Sequence, residues 1–374
     1  MEQEILNYLR GQETEIFRDL RLLVEAQAST DEISALRACR ETIEKLVLLR
    51  TGIICEVLKR PGGHDLLRFA YGEGEESILL SGHYDTVHAA GSLPYREESE
   101  RIFGPGICDM KSGVISAIWT IRALQALGIS PGKRILVLLN GDEETGSGES
   151  SEQICREALG AKAALVLEPS TENGDLKSGR KGMLTLRVTI TGREAHSGNA
   201  HAYGANAIEE MAREILFAQS LTDYEAGVTV NVGLAHGGSR INVVPGHAEF
   251  LMEARAWKSD RLDRIAKAIR EVETQVPGTA RQVQLLAQHH PMEQSAGTLA
   301  LFETAKKCGE RLGLSFSHQA VGGFGDANSI AAMNVPVLDG LGAVGGGAHS
   351  PEEFIWKDRF LPRIALAASL VLRL

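Results

Sequence analysis

The stretch Ile78-Leu79-Leu80-Ser81-Gly82-His83-Tyr84-Asp85 reads as a buried strand that runs out into polar residues. Two more stretches follow the same plan. Leu136-Val137-Leu138-Leu139-Asn140 leads into Gly141-Asp142-Glu143-Glu144, and Leu165-Val166-Leu167 leads into Glu168-Pro169. Short continuous apolar runs bounded by turn residues suit strands covered on both faces. Between them the spacing predicts helices over 114–127 and 149–159. Helices alternating with buried strands indicate an α/β domain with a largely parallel central sheet. On the N-terminal side, Glu2 to Gln27 reads as amphipathic helix through Ile5, Leu9, Ile16, Leu20, Leu23 and Val24. Ser29-Thr30-Asp31 then reads as the cap of a second helix reaching about Leu49.

The middle of the chain has a different rhythm. Alternating strands at Met183–Thr191, Val228–Leu234 and His247–Ala256 are interleaved with helices from Gly204 and from Ser259, the latter read as capped by Ser259. A last strand follows at Gln282–Leu286. The order βαββαβ is a complete ferredoxin-like unit. After Pro291 the α/β pattern resumes. The sequence therefore predicts a discontinuous α/β domain, 1–178 and 290–374, interrupted by an inserted domain at 179–289.

Length and composition bound the function. The chain has 374 residues, 43% hydrophobic and 24% charged, with a net charge of −10. That balance is globular, and the acidity argues against nucleic acid or an anionic membrane surface as partner. Five cysteines are scattered without a CxxC pair, which gives neither a disulfide framework nor a thiolate zinc site. The start Met1-Glu2-Gln3-Glu4 lacks a signal-peptide pattern, and no apolar run is long enough to span a bilayer. A cytoplasmic setting is expected.

The chemistry gathers where the strands end. In a parallel α/β sheet, ligands bind at the carboxyl ends of strands. Three strand ends deliver His83 with Asp85, Glu143 with Glu144, and Glu168; Asp109 joins them from the turn after Gly104-Pro105-Gly106. A histidine at one strand end is usually structural, and a Glu-Glu pair after a strand is usually a solvated loop. The coincidence of all three is harder to explain that way. So many carboxylates repel one another unless a cation joins them. A mixed imidazole and carboxylate set suits zinc best, with manganese or cobalt as alternatives.

These motifs are similar to those of the co-catalytic zinc metallopeptidase superfamily, which contains glutamate carboxypeptidase, acetylornithine deacetylase, succinyl-diaminopimelate desuccinylase and aminoacylase. The matching residues are His83-Tyr84-Asp85-Thr86-Val87, Asp109-Met110-Lys111-Ser112-Gly113, Asp142-Glu143-Glu144-Thr145-Gly146-Ser147 and Glu168-Pro169. The resemblance implies a pair of zinc ions, one held by His83, Asp109 and Glu168, the other by Asp109, Glu144 and His349. Asp109 would bridge, and the peptide bond after it would be cis. Asp85 would hold the far nitrogen of His83, and Glu143 would be the general base. His349 sits in Gly347-Ala348-His349-Ser350-Pro351-Glu352-Glu353, which matches the family's late His-Ser/Asp-x-x-Glu pattern.

The inserted domain supplies a second group by the same resemblance. His196, in Gly192-Arg193-Glu194-Ala195-His196-Ser197-Gly198, would reach the active site of a partner subunit and stabilise the oxyanion. Asn242 would lie near the substrate carbonyl, and Arg255 would bind a free carboxylate. Backbone N–H groups around Gly323 would assist. The insertion would thus be both lid and homodimer interface.

The implied activity is cleavage of an amide beside a free carboxylate in a small peptide, of the glutamate carboxypeptidase kind. The alternative is deacylation of an N-acyl amino acid. Glutamate at 168 leans towards the carboxypeptidase and acetylornithine/desuccinylase branches. Gln288-His289-His290-Pro291 lacks the basic residue that glutamate-releasing relatives carry there, which leaves the released residue open. A metal-binding scaffold without catalysis would lack the base or a ligand, and every position is filled.

Overall fold

The computed structural model describes all 374 residues. The chain divides into two compact units. The first is Met1–Ser178 with Gln294–Val321 and Gly325–Leu374; the second is Gly179–Glu293 with Gly322–Phe324.

The first unit is built on a six-stranded sheet. Its order is Glu56–Leu58, Leu66–Tyr71, Arg134–Asn140, Ser77–His83, Ala163–Val166, Val337–Leu338. The last four strands are parallel, and the first two are antiparallel to their neighbours. The sheet is therefore mixed: the parallel expectation holds for its last four strands and gives way at the first two. The cause is local: the links at 59–65 and 72–76 are too short for a crossover helix, and without one a strand cannot return parallel. The parallel strands are buried almost throughout. Ser112–Ala126 and the final helix Lys357–Arg373 are likewise buried along most of their lengths, around Trp119, Ile364 and Leu366.

The N-terminal segment forms two helices, Glu2–Gly11 and Glu13–Glu25, broken at Gln12 where the sequence pattern ran on. Glu2 is tied by Arg311 and Arg373, so both chain ends are clamped together. The next helix is Ile33–Thr51, and no side chain caps its start. Thr30 is drawn elsewhere, as described below.

The second unit is a four-stranded antiparallel sheet in the order Thr229–Gly237, His247–Ala256, Gly182–Thr191, Ala280–His289. Alternation on Gly182–Thr191 and His247–Ala256 buries Leu184, Leu186, Val188, Phe250 and Met252. The helices Ala207–Ser220 and Ser259–Arg270 join that core through Met211, Leu262, Ile265 and Ile269. Asn206 caps the first helix, accepting from the amides of Ile208 and Glu209. Ser259 does not cap the second; its hydroxyl meets His290 Nδ1 at 3.2 Å.

Candidate active site

His83 is the last residue of its strand, in register with Asn140 at the end of the neighbouring one. The strand ends thus open on one edge, and the first unit gathers its acidic residues there. His83 Nε2 lies 3.1 Å from Asp109 Oδ1 and 3.4 Å from Glu168 Oε1. His349 Nε2 lies 2.9 Å from Glu144 Oε2 and 3.6 Å from Asp109 Oδ2. The two oxygens of Asp109 therefore face two different imidazoles. Glu143 Oε2 stands 3.9 Å from His83 Nε2.

Local sequence fixes each group. Asp109 lies in the tight turn Ile107–Lys111 ahead of helix Ser112–Ala126, and its bond to Met110 is cis. Glu143 and Glu144 ride a single helical turn after Asp142, whose Oδ2 accepts from the amides of Glu149 and Ser150. His349 has φ +62°, a left-handed conformation uncommon outside glycine, and it directs the ring from a glycine-rich loop.

Asp85 does more than the sequence suggested. His83 Nδ1 meets the backbone oxygen of Asp85 at 3.1 Å and its Oδ1 at 3.3 Å. The Asp85 carboxylate also accepts from the amides of Glu143 and Glu144, at 3.3 and 3.2 Å. It therefore links two of the strand ends. Thr30 donates its hydroxyl to Asp85 Oδ2 at 2.8 Å. The residue that reads as a helix cap is a support of the site: the helix starts only at Ile33, with Glu32 in the cap position, and Thr30 spends its hydroxyl proton on the buried carboxylate.

Burial governs the electrostatics. Burial pushes the Glu143 carboxyl well up; the charge of His83 opposes this, while Glu168, Asp326 and Asp109 add to it. Burial likewise raises Glu144, against its bond from His349. For Asp109 burial works the other way from its partners, and the bond from His83 wins, holding it at about 2. His349 is lifted to about 9, chiefly by its bond to Glu144. Burial opposes charge on His83, yet its bonds to Asp109, Asp85 and Glu168 hold it well above the usual imidazole range.

The donor set fits divalent cations. Ligand atoms of His83, Asp109 and Glu144, and those of His83, Glu143 and Glu168, lie within 4.8 Å of one another. Glu144 Oε1 is buried without a hydrogen-bond partner, as a carboxylate oxygen reserved for a cation would be. Hard oxygens with imidazole nitrogens are the donors that zinc, manganese and cobalt accept.

Three supporting residues escaped the sequence reading besides Thr30. Asp326 is buried and accepts from the hydroxyl of Ser147, which closes the turn carrying Glu143 and Glu144. Burial raises Asp326 to about 7, against that bond. Glu353 lies within the quoted His349 motif, four residues on. Position in that motif was the available signal for Glu353; Ser147 and Asp326 gave none beyond adjacency to motif residues.

His196, Asn242, Arg255 and Gly323 belong to the second unit. The short pair Ala195–His196 with Val243–Val244 sets His196 beside the Asn242 segment. His196 is exposed, and its Nδ1 accepts from the amides of Gly198 and Asn199, both at 3.1 Å. The ring proton therefore sits on Nε2, which is left as a donor. Arg255 binds Glu253 through Nε at 2.6 Å and the carbonyl of Gly322 through Nη1 at 3.0 Å. The carbonyl of Gly323 accepts from Arg180 at 3.3 Å.

A largely buried cluster of imidazoles and carboxylates at the carboxyl edge of an α/β sheet fits a metal-dependent hydrolase. The comparisons agree. The chain belongs to peptidase family M20/M25/M40, whose model matches residues 79–373. It is 28% identical to carboxypeptidase G2 of Pseudomonas sp. (strain RS-16) over 373 residues, covering 96% of this chain and 89% of that protein. It is 27% identical to an acetylornithine deacetylase of Aliivibrio salmonicida over 325 residues, covering 80% and 82%. The crystal structure of aminopeptidase PepT from Bacillus cereus superposes with a TM-score of 0.80 at 21% identity, covering 96% of this chain and 98% of that one, a likeness of fold. No helix is long and apolar enough to cross a membrane.

Proposed function

We propose that the protein is a di-zinc hydrolase that cleaves an amide next to a free carboxylate, as a metallo-exopeptidase of the glutamate carboxypeptidase type. One observation carries this most: Asp109 turns one oxygen to His83 and the other to His349, while Glu143 stands beside them. His83, Asp109 and Glu168 would hold one zinc, and Asp109, Glu144 and His349 the other. Bound there, the ions supply Lewis-acid chemistry, acidifying a water and polarising the scissile carbonyl. Glu143 takes the proton of the attacking water and returns it to the leaving nitrogen. Asp85 holds the backbone of that base while fixing His83. The second unit serves as a ferredoxin-like lid and homodimer interface. From it His196 donates Nε2–H to the oxyanion, Asn242 and backbone around Gly323 meet the substrate, and Arg255 takes its carboxylate in place of Glu253.

The second reading is an N-acyl-amino-acid deacylase, supported by the deacetylase among the relatives. A panel of dipeptides with varied C-terminal residues, set against acetyl and succinyl amino acids, decides between them. Highest kcat/KM on dipeptides supports the exopeptidase. Highest kcat/KM on acyl amino acids transfers the assignment to the deacylase, and turnover of neither class removes both.

Metal uptake is expected to release protons. His349, lifted to about 9, carries a proton at neutral pH in the metal-free site; the bonds of His83 to Asp109, Asp85 and Glu168 push its imidazole up as well, and burial pushes the Glu144 carboxyl up. Coordination needs neutral imidazole and ionised carboxylate, so apparent affinity should climb as pH rises towards about 9 and fall as pH drops. Calorimetric titration with zinc in buffers of different ionisation enthalpy measures this directly. Proton release near zero at pH 7 would contradict the assignment of His349 as a ligand.

A further inference from the structure

We infer that Glu353 is a positioning residue for the metal centre, holding Asp109 and His349 in register with each other. The inference rests on the reading of Asp109 as a metal ligand. Glu353 is 1% exposed, and four N–H donors converge on its carboxylate. Oε1 accepts from the amides of Cys108 and Asp109 at 2.7 and 2.9 Å. Oε2 accepts from the amide of Gly106 at 2.9 Å and faces His88 Nε2 at 3.1 Å. Because a carboxylate only accepts, the His88 proton is on Nε2.

The arrangement is an anion nest turned inward. With Gly106 at φ +68°, the amides of Gly106, Cys108 and Asp109 turn towards one point, a geometry that commonly cradles a phosphate or other anion. Here the anion comes from the chain itself. The amide of Asp109 is one of the donors, so Glu353 grips the backbone of the residue whose carboxylate faces both imidazoles. Glu353 also ends the loop that carries His349. Beyond it, Phe354–Trp356 pairs with Gly345–Gly346 on one side and Arg101–Phe103 on the other. A single carboxylate thus joins the Asp109 turn, the His83-to-His88 segment and the His349 loop.

Glutamine cannot replace it. One amide oxygen serves two of the donors, and the amide NH₂ then opposes the other two. Aspartate keeps the charge but falls short by a methylene. The test measures zinc affinity by competition with a chromophoric chelator, independently of turnover. It compares wild type, Glu353→Gln, Glu353→Asp and Asp109→Asn. Glu2→Gln is the control, since it cuts the ties to Arg311 and Arg373 in the same unit without touching the site. Loss of a residue that orients a metal ligand typically weakens affinity ~10–100-fold. Glu353→Gln should lose that much, Glu353→Asp should recover part of it, and Glu2→Gln should bind as wild type. Wild-type affinity in Glu353→Gln, beside an Asp109→Asn that has lost it, overturns the inference alone. Wild-type affinity in Asp109→Asn removes the metal-ligand reading and the inference with it. If Glu353→Gln does not fold, Glu353→Asp decides: it keeps the charge but withdraws the carboxylate from the amides of Cys108 and Asp109, so weakened zinc binding supports the inference, while wild-type affinity overturns it.

Discussion

Glu143→Gln should lower kcat by ~10²–10⁴-fold while the protein keeps its full metal content. The expectation follows from position. Glu143 lies 3.9 Å from His83 Nε2, beyond hydrogen-bond range, whereas Glu144 and Asp109 engage imidazoles directly. Burial and the neighbouring carboxylates make it a ready proton carrier. Its backbone is pinned by Asp85, so the amide replacement changes chemistry and leaves placement alone. The measurement pairs steady-state kinetics with metal analysis. Near wild-type turnover with metal retained would take the role of base from Glu143. Loss of metal would make it a ligand, as the grouping of His83, Glu143 and Glu168 allows.

His196→Ala should cost ~10²–10³-fold in kcat, the usual effect of removing one oxyanion donor. The two amides on Nδ1 hold the ring in the tautomer that presents Nε2–H. The proposal that this donor serves the partner subunit can be tested by complementation. His196→Ala and Glu143→Gln subunits, each impaired, are mixed under conditions that let protomers exchange. Half of the sites in a mixed dimer lack both functions and half are intact, so activity should reappear. Proven exchange without recovery would place His196 in its own subunit's chemistry or outside it.

The sequence exposes the site more fully than the sheet that carries it. His83, Asp109, Glu143, Glu144, Glu168 and His349 stand in short motifs, because each must follow a strand end or turn closely to reach one point. The apolar runs at Glu56–Leu58 and Leu66–Tyr71 mark strands, but direction is a property of the links, and it is the short links at 59–65 and 72–76 that turn this pair antiparallel. Thr30 misleads for a physical reason: a hydroxyl before a helix looks like a cap, but the helix starts three residues on at Ile33, and the hydroxyl donates to the Asp85 carboxylate across the fold. Asp326 and Ser147 are 179 positions apart and meet only through the fold. Glu353 lay in plain view within the His349 motif, yet the amides it serves belong to residues 106–109, and nothing local announces them.

The metal count, read together with activity, tests the central claim most directly. The protein is stripped with chelator, dialysed, and titrated with zinc while turnover of the best panel substrate is followed. The proposed centre predicts an inactive stripped protein, recovery as zinc is added, and saturation near two ions per chain, with Asp109→Asn failing at both positions. Full activity in the stripped protein, or saturation and full recovery in Asp109→Asn, would contradict it.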